Sequence, residues 1–286
     1  LEKITGKEAS TTSEVKDKSS KHMNPFQKFV KMLSDIFVPI IPAIVAGGLL
    51  MGLNNIFTAK DLFYDGKSII DVHSQFSGLA DMINIFANAP FTLLPILIGF
   101  SAAKRFGGNP YLGAALGMIL VHPGLMSAYD FPKALEEGKA IPHWDVFGLH
   151  INEVGYQGQV LPMLVATYIL ATIEKWLRKV IPTVLDNLLT PLLSIFITAF
   201  ITFLFVGPVT RQLGYWLSDG LTWLYEFGGA IGGLIFGLLY APIVITGMHH
   251  SFIAVETTLI ADATKTCGSF IFPIATMSNI AQGGAA

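Results

Sequence analysis

The sequence predicts an all-α protein that crosses a membrane several times, and three observations carry that reading. Only 13% of the 286 residues are charged, 52% are hydrophobic and the mean hydropathy is +0.58, whereas an ordinary globular domain carries roughly 25% charged residues. Seven stretches contain no Asp, Glu, Lys or Arg at all: 36–59, 82–103, 106–129, 154–173, 187–210, 227–255 and 266–286. Each has the about 20 residues that a helix needs to cross a hydrocarbon core of ~30 Å. No alternating barrel-strand pattern accompanies them, and a helix satisfies its own backbone groups in lipid.

Taken in order, residues 1–25 are rich in Lys, Ser, Thr and Glu and poor in apolar side chains. They cannot bury enough surface to offset the entropy of ordering and read as a linker, leaving 26–286 as the membrane domain. The chain opens at Leu1 without Met and stops at Ala286 inside an uncharged run, so it is expected to be part of a longer polypeptide. The first run contributes Pro39, Pro42, Gly47, Gly48, Asn54 and Asn55, read mainly as kink and packing positions. The second and third runs are joined by Lys104-Arg105, and the fourth leads into Lys175, Arg178 and Lys179. The alternate loops, 60–81 and 130–153, are acidic, with Asp61, Asp65, Asp71 and Asp81 in one and Asp130, Glu136, Glu137, Asp145 and Glu153 in the other. If each run crosses once, the basic segments share one side, and the positive-inside rule makes it and the N-terminus cytoplasmic. Residues 174–186 (EKWLRKVIPTVLD) fit either an interfacial amphipathic helix or an extension of the fourth span. Arg211, after the fifth run, reads as a flanking charge. The sixth run is 29 residues long with five Gly before Pro242, which suits a broken or re-entrant helix lining a cavity as well as one long tilted span.

Polar groups at membrane depth are costly and therefore candidates for function. His249 and His250 lie side by side in TGMHHS, and Glu256 follows. Neighbours on a helix diverge by ~100°, so one of the two imidazoles faces a given cavity, where its single donor and single acceptor suit a sugar hydroxyl. Gln157 and Gln159, in EVGYQGQ at the mouth of the fourth span, offer neutral donors and acceptors with glycines that allow close backbone approach. A solvated helix start with aromatic anchoring is the plainer account of that segment. Asn279 and Gln282 give the seventh run a polar face. His122 reads as structural. A single cysteine, Cys267, excludes a disulfide framework and a cysteine-based metal cluster. No HExxH or Walker A pattern is present, Lys265 precedes the last run where a retinal-binding lysine would sit within it, and no basic block lies beyond the tail for nucleic acid. No metal or cofactor is expected.

Four blocks, FVPIIPAIVAGGLLMGL (37–53), GYQGQVLPMLVATYILATIEKWLRKVIP (155–182), ITGMHHSFIAVETTLIAD (245–262) and FIFPIATMSNIAQGGAA (270–286), resemble the membrane IIC domain of bacterial phosphotransferase-system sugar permeases. Within that group they are most similar to the sucrose and trehalose IIBC permeases of the glucose superfamily. The resemblance implies a homodimer in the bacterial cytoplasmic membrane, in which a moving transport domain holds a disaccharide in an occluded pocket. It further implies phosphorylation of the sugar by a phosphocysteine on a IIB domain, charged in turn through IIA and HPr. Residues 1–25 then follow IIB, and the family's paired histidines fall on His249 and His250, the first against the sugar. Two departures accompany it. The phosphorylated cysteine is not in this chain, since Cys267 sits in an apolar segment, and the family's Gly-Ile-Thr-Glu motif, whose glutamate holds the reacting hydroxyl, would lie beyond Ala286. The domain is therefore expected to be incomplete, without a catalytic residue and inactive in isolation. Sucrose is favoured over trehalose; a facilitator or ion-coupled transporter without group transfer, and a sugar-sensing receptor, are the other readings.

Overall fold

The computed structural model describes residues 24–213 together with Trp216, Leu234, Gly237, Leu238, Thr276 and Met277. Apart from the last five of these residues, the sixth and seventh runs, with His249, His250, Glu256, Cys267, Asn279 and Gln282, lie outside the described residues, as does the tail before Asn24. Three helical stretches among the described residues are long and apolar enough to span a membrane: Gln27–Thr58, Ser74–Phe106 and Thr183–Leu213.

The chain enters α1 (Pro25–Phe37) through an Asn24 cap, whose N–H donates to Gln27 Oε1 at 3.0 Å. A 3₁₀ turn, Val38–Ile40, carries it into α2 (Ile41–Thr58). Pro25, Pro39 and Pro42 all sit in first turns, where a missing N–H removes no hydrogen bond. The acidic loop that follows is tied by α3 (Ile69–Val72), capped by Ser68. The backbone N–H and hydroxyl of Ser68 both donate to Asp71, and this holds the Asp71 carboxyl below its ordinary range.

The second run differs from a single uninterrupted helix. It forms α4 (Ser77–Thr92) and α5 (Leu94–Phe106), with Pro90 inside α4 and Pro95 in the first turn of α5. Between them Leu93 leaves helical geometry at ψ 13°. Pro90 and Pro95 both lack the N–H that an uninterrupted i→i−4 ladder through this run would use, and the helix breaks between them at Leu93. The third run differs further: only α6 (Pro110–Leu120) is helical, and 11 residues rise about 16 Å, half a hydrocarbon core. α5 ends in a Schellman-type turn, Gly107 at φ 74° and Gly108 N–H donating to Ala103 O at 2.8 Å. Asn109 then caps α6 through Tyr111 N–H at 2.9 Å, so α5 and α6 fold as a hairpin of two half-length helices. Their backbones touch: a methyl on Gly99 would overlap Gly113 O, one on Gly113 would overlap Gly99 O, and one on Gly117 would lie 2.7 Å from Pro95 O. A broken helix, one of the two readings open for the sixth run, thus occurs in the second.

After α6 come α7 (Phe131–Glu136) and a β-hairpin, β1 (His143–Val146) with β2 (Leu149–Asn152), which the acidic-loop reading did not anticipate. The hairpin turns at Phe147-Gly148, both at positive φ, the backbone demanded by a two-residue primed turn. α8 (Leu161–Val180) runs straight through Glu174–Val180 to a break at Pro182, so the basic segment extends the fourth span instead of lying as a separate interfacial helix. α9 (Thr183–Ile201) continues through a π-helical turn, Thr202–Val206, to Leu213. The core sits between α1, α5, α6, α8 and the π turn and includes Ile36, Phe37, Leu94, Ile98, Leu116 and Leu120, all fully buried.

The charges sort by end. Lys175 Nζ donates to Phe106 O, Arg105 pairs with Asp35 at 2.9 Å, and the buried Glu174 accepts from Asn109 N–H at 2.8 Å and from Arg178 Nη2 at 2.9 Å. Arg178 reaches Asp186 at 2.8 Å, and Asp186 accepts from the Thr190 hydroxyl at 2.6 Å. The Lys104-Arg105 turn and the basic end of α8 therefore share one end of the bundle, as expected, with the β-hairpin at the other.

Candidate functional site

Gln157 and Gln159 are the expected site residues that fall among the described ones. They belong to the segment 153–160 that feeds α8, and backbone pairing fixes it. Met126 N–H donates to Glu153 O, Gly155 N–H to Met126 O, and Tyr156 N–H to the Leu120 carbonyl at the end of α6, each at 2.8 Å; Gly158 N–H reaches Thr92 O at 3.3 Å. The segment is threaded through the protein interior where a solvated helix start was the plainer expectation: Val154, Gly155, Tyr156, Gln157 and Gly158 are buried. Glycine is required at 158 by φ 69° and by the Tyr129 hydroxyl beside it.

The two glutamines are used differently. Gln157 Oε1 accepts from Ala128 N–H at 2.9 Å, so its carbonyl is engaged in holding the 126–129 turn. Gln159 Oε1 is buried without a hydrogen-bond partner. A buried acceptor left open costs about 1–3 kcal/mol, which makes it the more available ligand group of the two.

Arg211 is the larger surprise. It is 8% exposed, and its guanidinium lies 4.6 Å from the Tyr156 ring centroid and 4.7 Å from that of Phe131. Its Nη2 donates to Gly155 O at 3.3 Å and its Nε is buried without a partner. This is an arginine packed between aromatic faces, where cation–π attraction is strengthened by desolvation, and not the flanking charge its place after the fifth run suggested. Gly207, one turn before it, makes room for Tyr156, since a methyl there would overlap the phenol oxygen. Tyr156 in turn packs on Phe203 of the π turn, ring centroids 5.9 Å apart. The wider helix at Thr202–Val206 thus faces the glutamine segment, and π turns in helices are often found at functional sites.

A second polar feature went unread. Thr190, Ser194, Thr198 and Thr202 are fully buried at a strict four-residue spacing along α9. Thr202 donates to Thr198 O at 2.6 Å, while Ser194 Oγ and Thr198 Oγ1 have no partner. The spacing is visible in the sequence and puts the hydroxyls on one helix face, a packing device of membrane helices as well as a run of donors and acceptors. The apolar groove between α6 and α9, lined by Ile119, Pro191, Leu192, Ile195 and Phe196, offers no polar group to a hydroxylated ligand.

The profile of the family described as phosphotransferase system, EIIC, matches residues 34–286. Over its whole length the chain is 85% identical to the sucrose-specific EIIBC component of Staphylococcus xylosus and 60% identical to that of Vibrio alginolyticus. It is 50% identical over the same 286 residues to the trehalose-specific EIIBC component of Bacillus subtilis. The chain spans 60% of the length of each of these relatives. No solved structure matches. A helical membrane protein with broken spans, matched by that profile over all but its first 33 residues, the chain belongs to the phosphotransferase system EIIC family.

Proposed function

We propose that this chain is the membrane part of a disaccharide permease that takes up sucrose and presents it for phosphorylation by a IIB phosphocysteine. The observation that carries the reading is 85% identity, without a gap in coverage of this chain, to a protein named as a sucrose-specific EIIBC component. The names of these relatives also support a IIB domain on the same polypeptide; in this reading residues 1–25 are the linker from it to a membrane domain at 26–286. IIA and HPr supply the phosphate upstream, and the assembly is a homodimer with its N-terminus in the cytoplasm.

The chemistry asks little of the membrane domain. Phosphoryl transfer is mostly positioning and charge stabilisation, so this domain has to bind the sugar, exclude water and offer one hydroxyl to the cytoplasmic side. His249, His250, Glu256, Asn279 and Gln282 are the proposed sugar ligands from the later runs, and Gln157 and Gln159 those from the α8 entry, with the open Gln159 Oε1 as the acceptor. The phosphorylated product is a dianion that the apolar interior will not readmit, which gives uptake its direction without ion coupling. On this reading the chain by itself does not phosphorylate sugar.

Vesicles containing the full-length protein test it. Sucrose should appear inside as a phosphate ester only when phosphoenolpyruvate and the soluble phosphotransfer proteins are supplied. Accumulation of free sucrose without them would instead favour a facilitator or ion-coupled carrier, and binding with neither uptake nor phosphorylation a receptor. Trehalose is the competing substrate, favoured by the 50% identity to a trehalose-specific component, and faster phosphorylation of trehalose than of sucrose in that assay would select it. His249→Ala should weaken sugar binding with membrane insertion intact; unchanged affinity removes His249 from the site.

A further inference from the structure

We infer that the β-hairpin 143–152 carries a surface site for a divalent transition-metal ion of the Zn²⁺ class, held by His143, Asp145 and His150. The register of the hairpin builds the cluster. Asp145 pairs directly with His150 across the ladder and His143 lies two residues before Asp145, so the period of two puts all three on one face. The opposite face makes the contacts with the rest of the protein: Trp144, though 38% exposed, packs on Phe203 at 5.4 Å between ring centroids, and its cross-strand partner Ile151 is buried. That face thus anchors the hairpin to α9 while the three polar side chains are presented to the outside, all exposed.

The donor atoms converge. One ligand atom from each of the three residues lies within 4.8 Å of the others. His150 Nδ1 already meets Asp145 Oδ1, His143 Nε2 lies 3.8 Å from Asp145 Oδ2, and the two imidazole centroids are 5.3 Å apart. His143 Nδ1 sits 3.3 Å from Ile141 O. A proton on Nδ1 shared with that carbonyl leaves Nε2 as the free lone pair, the arrangement by which metal-ligating imidazoles are oriented from outside the first shell. Two imidazoles and one carboxylate with positions left for water is a ligand set that Zn²⁺ accepts, and it favours the later first-row dications over Mg²⁺ or Ca²⁺, which prefer oxygen. A bound ion would replace the direct His150–Asp145 contact and bridge β1 to β2, fixing the hairpin that covers Phe203. The site is separate from the segment 153–160 and does not depend on the proposed sugar.

Zinc titration of the full chain in detergent or nanodiscs, with any polyhistidine tag removed, tests the assignment. Co²⁺ absorption serves as a second probe of nitrogen and oxygen ligation. Zn²⁺ should bind with one equivalent per chain that is lost in both H143A and H150A. The weakening should be at least the about 10- to 100-fold that altering an outer-shell partner costs. His122→Ala, whose ring bonds Gly124 N–H away from the hairpin, should titrate as the parent chain does. Because a variant can loosen the hairpin as well as remove a ligand, Asn152→His provides the converse test. Asn152 pairs with His143 on the same exposed face, so a third imidazole there should tighten zinc binding. Absence of zinc binding to the parent chain, or a titration unchanged by H143A and H150A, overturns the inference.

Discussion

At the level of single residues, Arg211 shows how much a buried cation depends on shape. Its guanidinium lies against two aromatic rings and has one backbone acceptor, so its planarity matters along with its charge. Arg211→Lys keeps the charge but loses the flat stacking surface and the fork of donors. The variant should be destabilised by about 1–2 kcal/mol, the scale of a desolvated cation–π contact, seen as a lower midpoint in thermal unfolding in detergent. A lysine variant as stable as the parent, with only an uncharged variant losing stability, would mean that charge alone holds Tyr156 and Phe131 in place. None of this was readable from the sequence, because Arg211 ends a charge-free run just as a flanking arginine would. What separates the two cases is tertiary: the Tyr156 segment arrives from more than 50 residues away. The Gln157 and Gln159 pair was legible as a polar segment with glycines, but which amide oxygen is engaged and which is open depends on the Ala128 N–H, which no local pattern reveals.

Among the elements, hydropathy marked where apolar chain lies and was blind to how it is divided. The second and third runs read as two crossings, yet Pro90 and Pro95 break the first and α6 has only 11 helical residues. Both prolines stand in plain view in the sequence, and their five-residue spacing is the cue that a window average suppresses. The β-hairpin was likewise legible in principle. HWDV-FG-LHIN alternates polar and apolar with a glycine turn, but the acidic charge of its loop masked a signal only four residues long on each side. The α5–α6 hairpin rests instead on glycine contacts, which yield a paired prediction. Gly113→Ala places a methyl against Gly99 O and the Ala103 side chain, and the helices must separate or shift, at a cost of about 1–3 kcal/mol or more for overpacking. Gly52→Ala lies in α2 with nothing near the added methyl. It should be neutral or stabilising by up to about 1 kcal/mol, through helix propensity alone. Thermal unfolding of the two variants beside the parent separates contact from propensity, and equal midpoints for both would contradict the close packing of α5 on α6.

For the whole molecule, the gathering of basic residues at one end agrees with the sequence expectation, and it is the basis of the proposed direction. Lys104, Arg105, Lys175 and Arg178 converge on the end where α5, α6 and α8 meet. The hairpin with Asp145 lies where α6 ends and α8 begins. Between these ends α6 rises about 16 Å and α8 about 20 Å from Leu161 to Glu174, with Arg178 and Lys179 one turn further on. An excess of Lys and Arg is retained on the cytoplasmic side during insertion, so the proposed topology has the Lys104 turn inside and the hairpin outside. Phe147 makes the second position measurable: it is 99% exposed at the tip of the hairpin, so a cysteine there is accessible to reagent without disturbing a contact. The chain has one cysteine, Cys267, and Cys267→Ser supplies a background without thiols. In intact cells a membrane-impermeant maleimide should label Phe147→Cys and leave Lys104→Cys unlabelled until the membrane is permeabilised. The reverse pattern would invert the topology and with it the proposed direction of uptake. Labelling of both in intact cells would mean that α8 does not cross the bilayer, and that the basic end is held by the ion pairs of Glu174 and Asp186 and not by the sidedness of the membrane.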